Sequence, residues 1–287
     1  MRQLLFAIFG FAVVLFSGCD DENSVNKDTI QSAEDNSLVE THFTAIFDAA
    51  FDIISTIDSS LKKSDASIIP GDVSILFVDS TFMDGDGLEI VVDFGPLRNT
   101  EPQGVLCVDG RYRAGKFTIA MNLPLGSPQF QAEIIINQED SYFSGNGQEM
   151  AQLSGRTIVT LPKENELRIV VENALLKDNL GDISWSSDRR VTQIVDKGKG
   201  IWGDSYSITG SASGINRMSQ PFTAEITSPL VKKMDLGCAK TFIEGILEIT
   251  SDNSQNIQID YDPYKNADCD QLAEATINGH KTIFEVR

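Results

Sequence analysis

The sequence predicts a mainly β protein, a large antiparallel meander or sandwich-like domain preceded by one N-terminal amphipathic helix. Three observations carry that prediction. From Val73 onward, apolar residues recur with period two in short, β-branched segments. Gly, Asn, Asp and Pro separate these segments about every 8–12 residues, the spacing of antiparallel folds. No stretch of helical period and helix length interrupts them, which argues against parallel βαβ units.

The first element is a leader. Arg2 is followed by an apolar run of 13 residues, 4–16, and then Ser17-Gly18. A transmembrane helix needs about 20 apolar residues. The basic start, short apolar core and small-residue end describe a secretory signal peptide over 1–18. Cys19 stands at the cut, which points to lipoprotein processing with Cys19 as the lipid anchor. Phe16 sits where such leaders usually carry an aliphatic residue. Each buried CH₂ of an acyl chain is worth about 0.8 kcal/mol, so several chains on Cys19 hold a protein to a membrane.

Residues 19–35 are polar and acidic, and are expected to form a flexible tether. Residues 36–64 are expected to hold the amphipathic helix, with its turns running from Leu38 to Lys63. Phe43, Ile46, Phe47, Ala50, Ile53, Ile54, Ile57 and Leu61 build one apolar face. Ser37 and Glu40 have capping-box spacing at its start, and Lys62 and Lys63 suit the dipole at its end. Glu40, Asp48, Asp52 and Asp58 are expected on the opposite, solvated face.

Residues 65–287 are expected to form the antiparallel β domain, either one meander or two related halves. Strands are predicted at 74–78, 88–94, 116–121, 131–136, 156–160, 167–171, 222–226, 242–250, 256–260 and 281–286. Asn278-Gly279 marks a hairpin, because a type I′ turn needs positive φ at both central residues. Asp140-Ser141-Tyr142 and Asp204-Ser205-Tyr206 form a weak internal echo.

The charge limits the partners. The net charge is −19 and no Lys/Arg-rich run occurs, so nucleic acid is not an expected partner. Anionic lipid would repel the chain as well, which leaves the acylated cysteine as the membrane contact. Apart from Cys19 the cysteines are Cys107, Cys238 and Cys269. An antiparallel hairpin turning near Asn253, with Ile246 facing Asp260 or its neighbour, brings Cys238 opposite residue 268 or 269. A Cys238–Cys269 disulfide is the leading pairing. Cys107 bonded to one of them, and all three reduced, remain alternatives.

Chemistry-bearing constellations are sparse. Only two histidines occur, His42 and His280, and no G-x-S-x-G, H-E-x-x-H or phosphate-loop motif is present. Asp79, Asp84 and Asp86 alternate with glycine but lack EF-hand spacing, and read as a solvated turn rather than a calcium loop. No metal and no cofactor is expected. Trp185, Arg189, Trp202 and Tyr206 lie in the densest aromatic and basic stretch. They are the candidate ligand contacts, although Trp185 and Val191 share a strand face, which is the signature of a core position.

Several motifs occur in a distinctive order: 92–95 (VDFG), 107–115 (CVDGRYRAG), 185–189 (WSSDR), 206–214 (YSITGSASG), 228–230 (SPL), Cys269-Asp270 and 276–279 (TING). In this the chain resembles a group of uncharacterised Bacteroidota lipoproteins over about residues 88–287. The resemblance implies an all-β, exported, anchored protein and brings no activity with it. Acidic residues after the cysteine (Asp20, Asp21, Glu22) resemble that phylum's surface-export signal. The 260–263 segment departs from the pattern, and its turn is expected to differ. The expected localisation is therefore the outer membrane, facing outward. The leading functional expectation is a non-enzymatic binding module for a glycan, a small ligand or an envelope protein. A structural or assembly component of an envelope complex and a carboxylate-based hydrolase are the alternatives.

Overall fold

A computed structural model describes residues 27–57, 69–163, 165–197, 203–235, 238, 242–251 and 256–285. Cys19, Asp58, Lys62, Lys63 and Trp202 lie outside them.

Among the described residues, one α-helix, α1 (Lys27–Ile57), precedes sixteen strands. They are β1 (Ser74–Asp79), β2 (Leu88–Asp93), β3 (Val105–Leu106), β4 (Tyr112–Ala114), β5 (Lys116–Met121) and β6 (Gln131–Ile136). There follow β7 (Tyr142–Gly145), β8 (Met150–Lys163), β9 (Glu166–Asp178), β10 (Gly181–Val195) and β11 (Ser205–Ile215). The last are β12 (Pro221–Lys233), β13 (Glu244–Ser251), β14 (Ile257–Asp260), β15 (Leu272–Ile277) and β16 (His280–Glu285). All belong to one antiparallel sheet, ordered β1-β2-β5-β6-β8 and then consecutively to β16. β8 pairs β6 along 155–160 and β7 along 150–153, and from β7 a side branch continues through β4 to β3. The predicted meander is thus present as a single sheet, and it is not closed into a barrel.

The sheet alternates, as β5 shows: Phe117, Ile119 and Met121 are buried and the residues between them are not. Buried residues of β2, β5, β6 and β8 to β15 join one core with α1. Thirteen strands lie on the main path; at about 4.8 Å each a flat sheet would be about 60 Å wide. A helix with its side chains is about 10–12 Å across. One helix cannot cover such a face unless the sheet curls around it. Glycines at bulges allow the bending. Gly210 has φ +122° where the β11–β12 register slips, and a Cβ there would lie 2.0 Å from the Asp188 carbonyl oxygen. Gly155, φ +145°, does the same where β8 slips against β9.

The helix departs from the sequence expectation at its start and on its acidic face. It begins at Lys27, so residues 27–35, expected to be tether, are helical, with Ser32 and Asp35 buried. Ser37 is therefore inside the helix and caps nothing, and Glu40 reaches the sheet instead of the helix start. The solvated acidic face is also corrected. Glu40 and Asp52 are buried, and Asp48 is paired with Lys232. Among the described side chains of α1, only Glu34 is exposed rather than buried or half-buried. Wrapping by the sheet places the "polar" face of the helix inside the protein.

The Cys238–Cys269 disulfide is present, with Cα atoms 4.9 Å apart, and Cys107 is a buried free thiol. Its basis is the register expected from sequence: Ile246 pairs with Asp260 across β13 and β14. The bond joins residues 31 apart. Its removal by Cys238→Ser with Cys269→Ser is expected to cost about 3–4 kcal/mol by loop-closure entropy. Urea unfolding of the oxidised protein against the double variant checks this.

The two sheet edges differ. β16 carries Lys281 and Glu285, charges of the kind that guard edges. β1 has no charge over residues 74–78, and Leu76 and Val78 are each 59 % exposed.

Candidate functional site

The polar contacts between α1 and the sheet form a row along the helix. Asn216 donates to Ser32 Oγ at 3.0 Å, and the Arg217 amide donates to Asp35 Oδ2 at 2.8 Å. The Arg217 guanidinium bridges Asp35 and Asp178. Trp185 Nε1 donates to Asn36 Oδ1 at 2.9 Å. Arg189 Nε donates to Glu40 Oε1 at 2.9 Å, Arg113 Nη2 to the Ala45 carbonyl at 3.2 Å, and Lys232 Nζ to Asp48 at 2.9 Å. The sheet partners come from β4, β10, β12 and the turn after β11, which draws distant strands onto one helix.

This places the sequence-predicted ligand contacts. Trp185 and Arg189 are 4 % and 5 % exposed. They face inward because alternate residues of β10 (Ile183, Trp185, Ser187, Arg189) point to the helix. Trp185 also packs on Phe43, with ring centroids 6.0 Å apart. Neither offers an exposed stacking platform. Tyr206 is half-buried and its hydroxyl donates to Asp204 Oδ2 at 3.2 Å. Burial, aided by Asp204, pushes its phenol well above the ordinary value.

The same residues border a cleft between α1 and the middle of the sheet, with a cavity of about 90 Å³. Phe43, Phe47 and Phe51 supply the aromatic part of the helix wall, and Leu167, Ile169, Val191 and Ile208 supply aliphatic parts of the sheet wall. Phe47 and Phe51 stack with centroids 5.4 Å apart. The charged residues at its border are paired across it, Glu40 with Arg189 and Asp48 with Lys232. An apolar cleft with few polar groups is the general form of a small-molecule site. Sequence periodicity marked Phe43 and Phe47 as apolar but could not mark them as lining a space, because the facing wall lies over a hundred residues away.

A second polar group lies beneath the helix, around the 107–115 motif. Asp109 accepts from both Arg113 terminal nitrogens, at 2.8 and 2.6 Å. Arg113 is fully buried. Burial alone would lower its pKa, but the Asp109 hydrogen bonds and the nearby negative groups hold it above the ordinary value. Burial pushes the Tyr142 phenol up to about 12 and raises the Cys107 thiol. His42 is driven the other way, to about 3, by burial and then by the charges of Arg111 and Arg113. This motif is a seat for the helix.

His42 gives the protein a defined acid weakness. The unfolded chain takes up a proton near pH 6.5, while the folded state resists until about 3. The stabilisation from neutral His42 is complete above pH 6.5 and is lost as pH falls toward 3. The unfolding midpoint is expected to drop across that window, and His42→Leu to flatten the dependence. Thermal melts at half-unit pH steps measure it.

Asp79, Asp84 and Asp86 do converge, with carboxylate oxygens within 4.8 Å of one another. Asp84 and Asp86 are exposed, and the Asp84 carboxylate raises the pKa of Asp86.

Compared with protein-family models, curated proteins and solved structures, the chain matches none. No described helix is long and apolar enough to cross a membrane.

Proposed function

We propose that this protein is a non-enzymatic binding module of the cell envelope, held to the outer membrane through Cys19, that takes a small apolar-bodied ligand in the cleft between α1 and the sheet. The observation that carries this reading is the cleft itself: three helix phenylalanines face a wall of aliphatic strand residues across open space. A protein core normally packs without such voids. The ionised groups at its border are engaged with one another, which suits recognition better than acid–base work. A glycan is a weaker fit, because Trp185 is buried and tied to Asn36.

Titration of the full mature chain with the neutral fluorophore N-phenylnaphthylamine tests the reading. Saturable binding at one site is expected, and Val191→Phe, which fills the cleft, is expected to weaken it at least tenfold. Absence of binding, or binding indifferent to that substitution, overturns the reading. For the anchor, intact mass of the mature protein is expected to show a lipid-modified Cys19; an unmodified Cys19 contradicts it.

A further inference from the structure

Two residues on the cleft wall carry polar atoms that the fold leaves without partners. Ser187 and Arg189 are adjacent inward positions of β10, 6 % and 5 % exposed. Among the described residues, Ser187 Oγ and Arg189 Nη1 find no hydrogen-bond partner. Both residues line the cleft. An unsatisfied buried polar group costs about 1–3 kcal/mol, so two of them side by side at one cavity are a standing demand for a ligand atom.

Their chemistry defines that atom. A guanidinium N–H can only donate, and a serine hydroxyl can donate as well. The missing partner is therefore an acceptor oxygen. It need not be charged: the Arg189 guanidinium already lies 2.8 Å from Glu40, which neutralises it. Asp48 also borders the cleft and the chain carries −19 overall. A buried anion would add an uncompensated charge, whereas a carbonyl oxygen adds none.

The rest of the cleft defines the body. Phe43, Phe47 and Phe51 recur every four residues, an apolar row about 12 Å long at the helical rise. The cavity is about 90 Å³, and an unbranched hydrocarbon chain can lie along that row of rings. We propose that the ligand is a single-chain amphiphile with a neutral carbonyl head, an acyl amide or acyl ester. Its oxygen accepts from Ser187 Oγ and Arg189 Nη1, and its chain lies along the three phenylalanines.

This inference rests on the cleft being a binding site, and the test separates the two. Octane, octanamide, octanoate and octylammonium each compete with N-phenylnaphthylamine for the full mature chain. Octanamide is expected to bind at least tenfold tighter than octane and no weaker than octanoate, with octylammonium the weakest of the polar three. Ser187→Ala, which removes no charge, is expected to narrow the octanamide preference while leaving octane unchanged. Equal binding of octane and octanamide overturns the head-group inference and leaves the apolar cleft standing. Octanoate binding tenfold tighter than octanamide overturns it in favour of an anion site. Failure of the fluorophore itself to bind removes both.

Discussion

Arg113→Leu is expected to destabilise the protein by about 3–5 kcal/mol, the usual cost of removing one partner from a buried ion pair. The side chain is fully buried and holds three contacts, two to Asp109 and one to the Ala45 carbonyl. Its loss leaves Asp109 with a much poorer set of donors and removes one seat of the helix. Arg113→Lys is expected to recover part of the loss, because an ammonium keeps the charge but cannot make the two-pronged contact. Urea unfolding followed by circular dichroism measures both, and a change below about 1 kcal/mol for the leucine variant would contradict the assigned role.

Glu40→Leu is expected to cost a similar amount, for a different reason. It strands the Arg189 guanidinium, 5 % exposed and paired with Glu40 at 2.8 Å, in a largely apolar setting. Here the double variant is informative. Buried pairs are often no better than well-packed apolar residues. Glu40→Leu with Arg189→Met is thus expected to be more stable than Glu40→Leu alone, although it removes one more polar group. A double variant less stable than either single one would mean that Arg189 holds the fold through contacts other than Glu40. The same double variant retains an apolar cleft wall, so it is expected to keep the neutral fluorophore.

How far the sequence foretold this molecule depends on where each signal resides. Strand periodicity is local, and β2, β5 and β6 lie where alternation placed them. The Asn278-Gly279 turn is equally local, with φ of 51° and 80° between β15 and β16. The disulfide followed from arithmetic on one hairpin. β10 and β11 were missed as strands. β10 places Trp, Ser and Arg at its inward positions, and β11 carries only small residues inward beyond Ile208 (Gly210, Ala212, Gly214), so neither shows the usual apolar alternation. The fate of the helix was hidden for a related reason. Glu40, Asp48 and Asp35 read as solvated because their cationic partners, Arg189, Lys232 and Arg217, are 149 to 184 residues away. Amphipathicity assumes one wet face, and a sheet that curls around a helix removes most of it. The cleft is subject to the same limit, since both of its walls are needed before it exists.

The central claim is that the space between α1 and β10 holds a ligand, and Trp185 sits at its wall. Tryptophan emission of a Trp202→Phe variant, in which Trp185 is the remaining indole, can be followed while a terminally brominated acyl amide is added. Bromine quenches an indole only near contact. The account predicts saturable quenching of Trp185, matched in midpoint to displacement of the fluorophore and abolished by Val191→Phe. Displacement of the fluorophore with Trp185 emission unchanged would place the ligand elsewhere and contradict it.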